Sequence, residues 1–475
     1  MINKNKLSLF LAANAALLSA QQSKPNILFV MTDQQSYKML SCAGNANLRT
    51  PAMDKLAAKG YQFSKTYCVN PVSVPSRFAL LTGHYGSEVG VRHNQAVPDK
   101  EKLQPILEQS AMGKVFRAGG YETLYGGKIH LPMAMLQGSV KIRMDANYGF
   151  DYFCEDDGMI MAQQSAEILS KRKKEDKPLL LFVSLMNPHD INFFWQESIL
   201  ASLEKPKNLT QREWETSTAL NNVQKNMSET EYKKQIPPFP KNYEPVNDEP
   251  ALDAYQKFKD KDRLNYYSWA YHRLIETVDS ELNVVLEALE KSEIADNTII
   301  VFTSDHGDMN GAHQLIMKNR FYDESARVPF VFAGKGIKKG VVDSETLACN
   351  GQDLIPTLCD LANIKIPQNL TGISLKTKLT GEGKLQKRDY LFIENTVGYM
   401  VMDGRYKYAM YDGTGNTELL TDIKNDPLET INYAYKKSAK KEKARLSKQL
   451  SNWMQERNLK FDPTVTRLPK EVKKK

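Results

Sequence analysis

Pro25-Asn26-Ile27-Leu28-Phe29-Val30-Met31-Thr32-Asp33-Gln34-Gln35 is an apolar run that ends in polar residues. A run of this length without alternation is the pattern of a strand buried on both faces of a parallel sheet. Asp33 and Gln34 fall at its C-terminal end, where open α/β sheets gather their ligands. Taken alone, Asp33 could also cap the next element. The pattern recurs at Pro178 to Met186, followed by Asn187-Pro188-His189-Asp190. It recurs again at Asn297 to Ser304, followed by Asp305-His306-Gly307-Asp308. These strands predict an α/β fold with a large mixed, mostly parallel sheet flanked by helices. Three short segments with turns between them, Tyr390 to Asn395, Gly398 to Asp403 and Tyr406 to Tyr411, predict a smaller C-terminal antiparallel α+β subdomain.

Between the first two strands lies Cys68-Val69-Asn70-Pro71-Val72-Ser73-Val74-Pro75-Ser76-Arg77-Phe78-Ala79-Leu80-Leu81-Thr82-Gly83. The prolines disfavour a helix beginning before Ser73. Ser76 to Leu81 reads as a short helix stopped by Gly83. Ser73 then sits at the mouth of a helix N-terminus, where free N–H groups favour an anion. Arg77 lies one turn away and could fork onto anionic oxygens. Further on, Gly126-Gly127-Lys128-Ile129-His130 places Lys128 and His130 on one face if the segment is extended. A surface lysine and a loop histidine would look the same.

The chain has 475 residues, 41% of them hydrophobic, and a net charge of +8. That is the composition of a globular protein with room for one or two domains. Much of the basic excess lies in runs such as Lys171 to Lys174 and the Lys473 to Lys475 tail, so it says little about partners. Neither nucleic acid nor an integral membrane span is expected. Met1 to Ala20 reads as a signal peptide, with Lys4 and Lys6 before an apolar run. The expected destination is a bacterial periplasm. Five cysteines form no C-x-x-C pair, and buried free thiols are the expected state for most of them.

Ser73, Pro75, Arg77 and the Thr82-Gly83 tail resemble the signature of the sulfatase family. In that family the first residue of the motif is converted to formylglycine, the nucleophile. Gly120-Tyr121-Glu122-Thr123 through Lys128 and His130 resembles the second family signature. Asp33-Gln34 and Asp305-His306 resemble its two metal-ligand pairs, and Lys318 matches its second sulfate-binding lysine. His189 matches a family histidine, with Asn187 where a first histidine usually stands. Gly372 to Leu375 and Glu418 to Thr430 resemble its closing segments.

The resemblance implies an alkaline-phosphatase-like fold and an exported hydrolase of carbohydrate sulfate esters, of the glycosaminoglycan type. It implies one calcium ion on Asp33, Gln34, Asp305 and His306, touched by formylglycine made from Ser73 by a maturation enzyme. Arg77, Lys128 and Lys318 would hold the sulfate. His189 would protonate the leaving oxygen, and His130 would restore the aldehyde. Domain limits are expected at 1–20 (signal peptide), 24–375 (catalytic) and 376–475 (C-terminal subdomain with a terminal helix and basic tail). Arg92, His93 and Asn94 are candidate sugar contacts, as are Phe193 to Trp195. Two other readings share the motifs: a phosphodiesterase or phosphonate monoester hydrolase, and a glycan-binding protein with unmodified Ser73.

Overall fold

The structure is a computed structural model. It describes residues 24–464, apart from 134–135, 195–204, 206–208, 251–257, 385, 414–416 and 463. The signal-peptide reading, Trp195 and the Lys473 to Lys475 tail lie outside the described residues.

The first apolar run forms β1 (Asn26–Asp33), buried along its whole length. Its alternate side chains serve two cores. Phe29 and Met31 join Phe78, Phe182 and Leu354 on one face. Leu28 and Val30 join Leu181, Val183, Val278 and Leu282 on the other. Period-two alternation between two apolar faces explains why the sequence itself shows no alternation.

Seven more strands complete this sheet. They are β2 (Gly60–Tyr67), β3 (Glu122–Gly127), β4 (Asp151–Cys154), β5 (Leu179–Pro188), β6 (Thr298–Ser304), β7 (Phe330–Gly334) and β8 (Val341–Cys349). Their order is β4-β3-β5-β1-β6-β7-β2-β8. All neighbours pair in parallel except at β7, which is antiparallel to both β6 and β2. The expected mixed, mostly parallel sheet is what the chain forms.

Helix α1 (Pro51–Ala58) and the long α5 (Lys261–Lys291) cover one face, together with α3 (Met159–Lys171). Helix α2 (Ser73–Thr82) packs against α6 (Asn350–Leu361) on the other. Helix α2 begins three residues earlier than its sequence suggests. Pro75 then lies in the first turn, where its missing N–H has no partner to lose. The second sheet, β12-β11-β10-β9, is antiparallel. It comprises β9 (Leu391–Asn395), β10 (Gly398–Met402), β11 (Tyr406–Tyr411) and β12 (Glu418–Asp422). Trp453 of α7 (Lys440–Glu456) stacks on Phe392 of this sheet at 4.9 Å. All five cysteines are unpaired, and only Cys42 is exposed.

The stretch after Phe194, which lacks apolar periodicity, nevertheless carries α4 (Gln211–Asn226) and a short helix Glu229–Gln235. Both start with a capping box, Thr210 with Glu213 and Ser228 with Glu231. Those S/T-x-x-E spacings were the available signal.

Candidate active site

Strand register brings the scattered polar residues together. Thr32 pairs with Ser304, so Asp33 and Asp305 leave β1 and β6 side by side. Asp33 pairs with Pro188, so His189 follows on the other flank. Gly127 pairs with Ser184, which puts Lys128 at the same edge. The turn there needs glycine: Gly127 has φ +91°, and a Cβ would lie 2.1 Å from the Ser184 carbonyl oxygen. The Lys128 carbonyl then accepts from Arg77 Nη1, Tyr125 Oη and Ser184 Oγ at 2.9, 2.6 and 2.7 Å. His130 leaves the extended path expected of it, with φ +43°.

Arg77 is buried and forks onto the chain's own carboxylates. Its Nε donates to Asp305 Oδ2 and its Nη2 to Asp33 Oδ2, both at 2.8 Å. Lys128 Nζ lies 2.7 Å from the same Asp33 oxygen. Lys318 Nζ donates to Gln34 Oε1 at 2.9 Å and to Ser73 Oγ at 3.3 Å. Burial would raise the Asp33 carboxyl, but Lys128, His189, Arg77 and Lys318 hold it well below the usual carboxylate range. Asp305 moves the other way, to about 7, through burial and the neighbouring Asp33.

His306 Nδ1 lies 3.0 Å from the Gly307 carbonyl, an acceptor only, so Nδ1 carries the proton. The bare Nε2 faces Ser73 Oγ at 2.9 Å, Asp305 Oδ1 at 3.7 Å and Asp33 Oδ1 at 3.9 Å. The sequence showed no base beside Ser73; the fold supplies this imidazole. Asp33, Asp305 and His306 each offer one atom within 4.8 Å of the others. Asp33 Oδ1 is buried there with no hydrogen-bond partner. An unsatisfied carboxylate oxygen facing a bare imidazole nitrogen fits a cation. The oxygen-rich set, with the Gln34 amide beside it, suits calcium or magnesium more than zinc.

The two remaining histidines share the field of this cluster. Burial and Lys128 lower His130 to about 3, against the opposing pull of Asp33. Burial and Lys128 also push His189 well below its ordinary value. The chain thus brings Asp33, Gln34, Ser73, Arg77, Lys128, His130, His189, Asp305, His306 and Lys318 to one edge of the sheet.

The candidate sugar contacts fare differently. Asn94 Oδ1 accepts from the Val74 N–H at 3.0 Å, so it braces the start of α2 beside Ser73. Arg92 turns away to the second sheet. It donates to the Asn395 and Gly398 carbonyls at 3.0 and 3.2 Å and lies over the Tyr399 ring. His93 is exposed. Phe194 is buried against Tyr266 in an aromatic cluster with Trp269. His272 bonds through Nδ1 to the Ser268 carbonyl at 2.7 Å.

Several polar residues at the site had no sequence signal of their own. Asp190 and Asp157 are joined by Arg212 of α4. Its Nη1 and Nη2 reach Asp190 at 2.7 and 3.1 Å, and its Nε reaches Asp157 at 2.6 Å. Asn192 and Asp308 both bond the Gln34 side chain. These partners come from distant segments, and only contact in three dimensions reveals them.

A strand-edge site with a serine at a helix mouth, three cations and a metal-like cluster is that of an ester hydrolase acting on anionic esters. The sulfatase family matches residues 25–364, and the C-terminal family of N-sulphoglucosamine sulphohydrolase matches residues 311–457. This chain belongs to the sulfatase family and is a sulfuric ester hydrolase. It is 31% identical to a Delta 4,5-hexuronate-2-O-sulfatase of Bacteroides thetaiotaomicron, over 87% of this chain and 85% of that protein. It is 28% identical to an arylsulfatase of Clostridium perfringens, over 86% and 90%. The structure resembles that of a 2-O GAG sulfatase with a TM-score of 0.74 and 26% identity, covering 93% and 95% of the two chains. A phosphonate monoester hydrolase of Agrobacterium radiobacter shares the fold, with a TM-score of 0.68 at 20% identity.

Proposed function

We propose that this chain is an exported sulfatase that removes sulfate esters from glycosaminoglycan-derived saccharides, and that a 2-O-sulfated uronate is the first substrate to try. The observation that carries the chemistry is Ser73 Oγ, held at a helix mouth between His306 and Lys318 and backed by Lys128, Arg77 and two carboxylates. The uronate reading is supported by the hexuronate-2-O-sulfatase relative and the likeness to a 2-O GAG sulfatase. Export to the periplasm is supported by Met1 to Ala20 alone. Among the described residues, no helix is long and apolar enough to cross a membrane.

Asp33, Gln34, Asp305 and His306 would hold one calcium ion. Calcium and formylglycine made from Ser73 would together supply an activated attacking oxygen. The chain's own groups do the rest. Lys128 and Lys318 place positive charge where the sulfate oxygens become more negative. Arg77 acts from behind, holding Asp33 and Asp305 in place and favouring their charged forms. His189 gives its proton to the leaving sugar oxygen. Burial and Lys128 keep it neutral in the free enzyme, and an anionic ester that offsets the field of Lys128 would raise its affinity for the proton that it then gives up. His130, neutral at working pH, takes the proton from the hydroxyl that remains on residue 73.

The test is sulfate release from defined 2-O-, 4-O-, 6-O- and N-sulfated saccharides, with one phosphodiester and one phosphonate ester alongside. The protein is made with its maturation enzyme, and conversion of Ser73 is verified by peptide mass. Release from the 2-O-sulfated uronate alone is expected. Release from another sulfated sugar would replace the substrate. Turnover only of the phosphorus esters would overturn the proposed substrate class.

A further inference from the structure

Gln34 is the one member of the proposed calcium set whose side chain can turn over, exchanging its oxygen for its NH2 group. Two neighbours of fixed polarity decide which end faces the site. Lys318 Nζ, a donor only, lies 2.9 Å from Oε1. Asp308 Oδ2 accepts from Nε2 at 2.7 Å. Asn192 pairs with both ends, at 3.2 and 3.3 Å, and its Nδ2 also donates to the His189 carbonyl at 2.8 Å, so it favours the same orientation. Asp308 is buried and locked as an acceptor. Tyr267 Oη donates to Oδ2 and the Asn310 N–H to Oδ1, each at 2.7 Å. The Gln34 backbone is also pinned. It holds φ +74°, its N–H donates to Asp305 Oδ1 at 3.0 Å, and its carbonyl accepts from Tyr271 Oη at 2.6 Å.

We propose that Asp308 is a positioning residue, which turns the Gln34 carbonyl oxygen toward Ser73 and the Asp33–Asp305–His306 cluster and forces residue 34 to be an amide. A carboxylate at position 34 would bring a second oxygen to the place where Nε2 now meets Asp308 at 2.7 Å. Two ionised carboxylates at that separation, both buried, repel strongly. The amide therefore serves as a ligand oxygen on one side and a donor on the other, which no acid can do while ionised. The inference rests on the reading of the cluster as a calcium site.

The experiment follows calcium binding by the rise in thermal midpoint across a calcium titration of the chelator-treated protein, with dialysis against labelled calcium as a second readout. Four variants are compared with wild type: Asp308→Asn, Gln34→Glu, the double variant and Tyr267→Phe. Asp308→Asn is expected to weaken calcium by ~10–100-fold, the range for loss of a residue that orients a metal ligand. Gln34→Glu adds a charge and would ordinarily tighten calcium; here it is expected to weaken it. The double variant is expected to bind at least ~10-fold more tightly than Gln34→Glu, because an amide at 308 can donate to the new carboxylate. Tyr267→Phe leaves the Asp308 carboxylate in place and is expected to change affinity less than Asp308→Asn. Tighter binding by Gln34→Glu overturns the proposal, even if Asp308→Asn does not fold. Wild-type affinity in Asp308→Asn, or no recovery in the double variant, overturns it as well. If neither calcium nor magnesium stabilises wild type, the metal reading falls and takes the proposal with it. The sulfatase assignment, read by sulfate release, would stand apart from that result.

Discussion

Arg77 shows how one side chain can hold a site together. It is 1% exposed and contacts two buried carboxylates, a carbonyl and a hydroxyl. Truncating it would leave Asp305 without its ion-pair partner and Asp33 with Lys128, and breaking such a buried pair costs about 3–5 kcal/mol. Arg77→Ala is therefore expected to lower the thermal midpoint markedly as well as activity, and calorimetry of the metal-free protein checks it. His189 makes a contrasting prediction. If it protonates the leaving oxygen, His189→Gln should cost ~10²–10⁴ in kcat on a sugar sulfate. The loss should be far smaller on 4-nitrophenyl sulfate, whose leaving group needs no proton. Equal losses on both substrates would remove that role. At this scale the sequence was informative where a residue sits at a strand end or a motif position, as Asp33, Ser73 and Lys318 do. It was silent on Asp308 and Asn192, whose meaning lies wholly in what they touch.

At the scale of elements, helix α5 carries buried ionisable groups with opposite effects, Glu281 and His272 among them. Glu281 is 4% exposed, and its Oε2 has no partner. Burial pushes its carboxyl up to about 8, opposed by Arg212 and reinforced by Asp190, Asp156 and Asp157. An acid whose folded-state pKa exceeds its unfolded value of 4.5 takes up a proton on folding between those two pH values. Its contribution is most favourable below the lower value and is lost as pH rises toward 8. Glu281→Gln is expected to match wild type near pH 4.5 and to exceed it by about 1–3 kcal/mol at pH 8, by urea unfolding. His272, lowered to about 4 by burial, works in reverse: its contribution is complete above 6.5 and falls as pH drops toward 4. Helix α4 makes a third prediction. Its Arg212 grips Asp190, the residue after His189. Arg212→Ala should lower kcat on sugar sulfates by disordering that turn, with less effect on an aryl sulfate. Strand β1 was legible because burial on both faces leaves an unbroken apolar run. Helix α4 was not, because its stability comes from a cap and polar contacts.

Across the whole molecule, a buried lysine joins the two sheets. Lys407 of β11 contacts Asp323 and Glu429, and Asp323 also accepts from Tyr67 Oη at the end of β2. Burial opposes the charge on Lys407, but the two carboxylates raise its pKa. Lys407→Ala would leave Glu429 without its cation and Asp323 with Arg327 alone, and is expected to cost about 3–5 kcal/mol, read as a lower unfolding midpoint. Lys407→Met with Glu429→Gln should recover part of it, since Asp323 keeps Arg327 and the cost is mainly that of the unpaired charge on Glu429.

Apolar runs and the residues that end them were enough to point to a mostly parallel α/β sheet and to put Asp33, His189 and Asp305 at its strand ends, because burial is a local consequence of sequence; the other candidate site residues came from the motifs. What only the tertiary structure decided was which atoms meet. The pairing of β1 with β5 and β6 set Asp33, His189 and Asp305 side by side. The fold put His306 Nε2 against Ser73, turned Arg92 toward the second sheet and placed Asp308 behind Gln34. Those contacts join residues up to several hundred positions apart, and the polarity of a hydrogen-bond network is a property of its neighbours in space, not of the order in which they are strung.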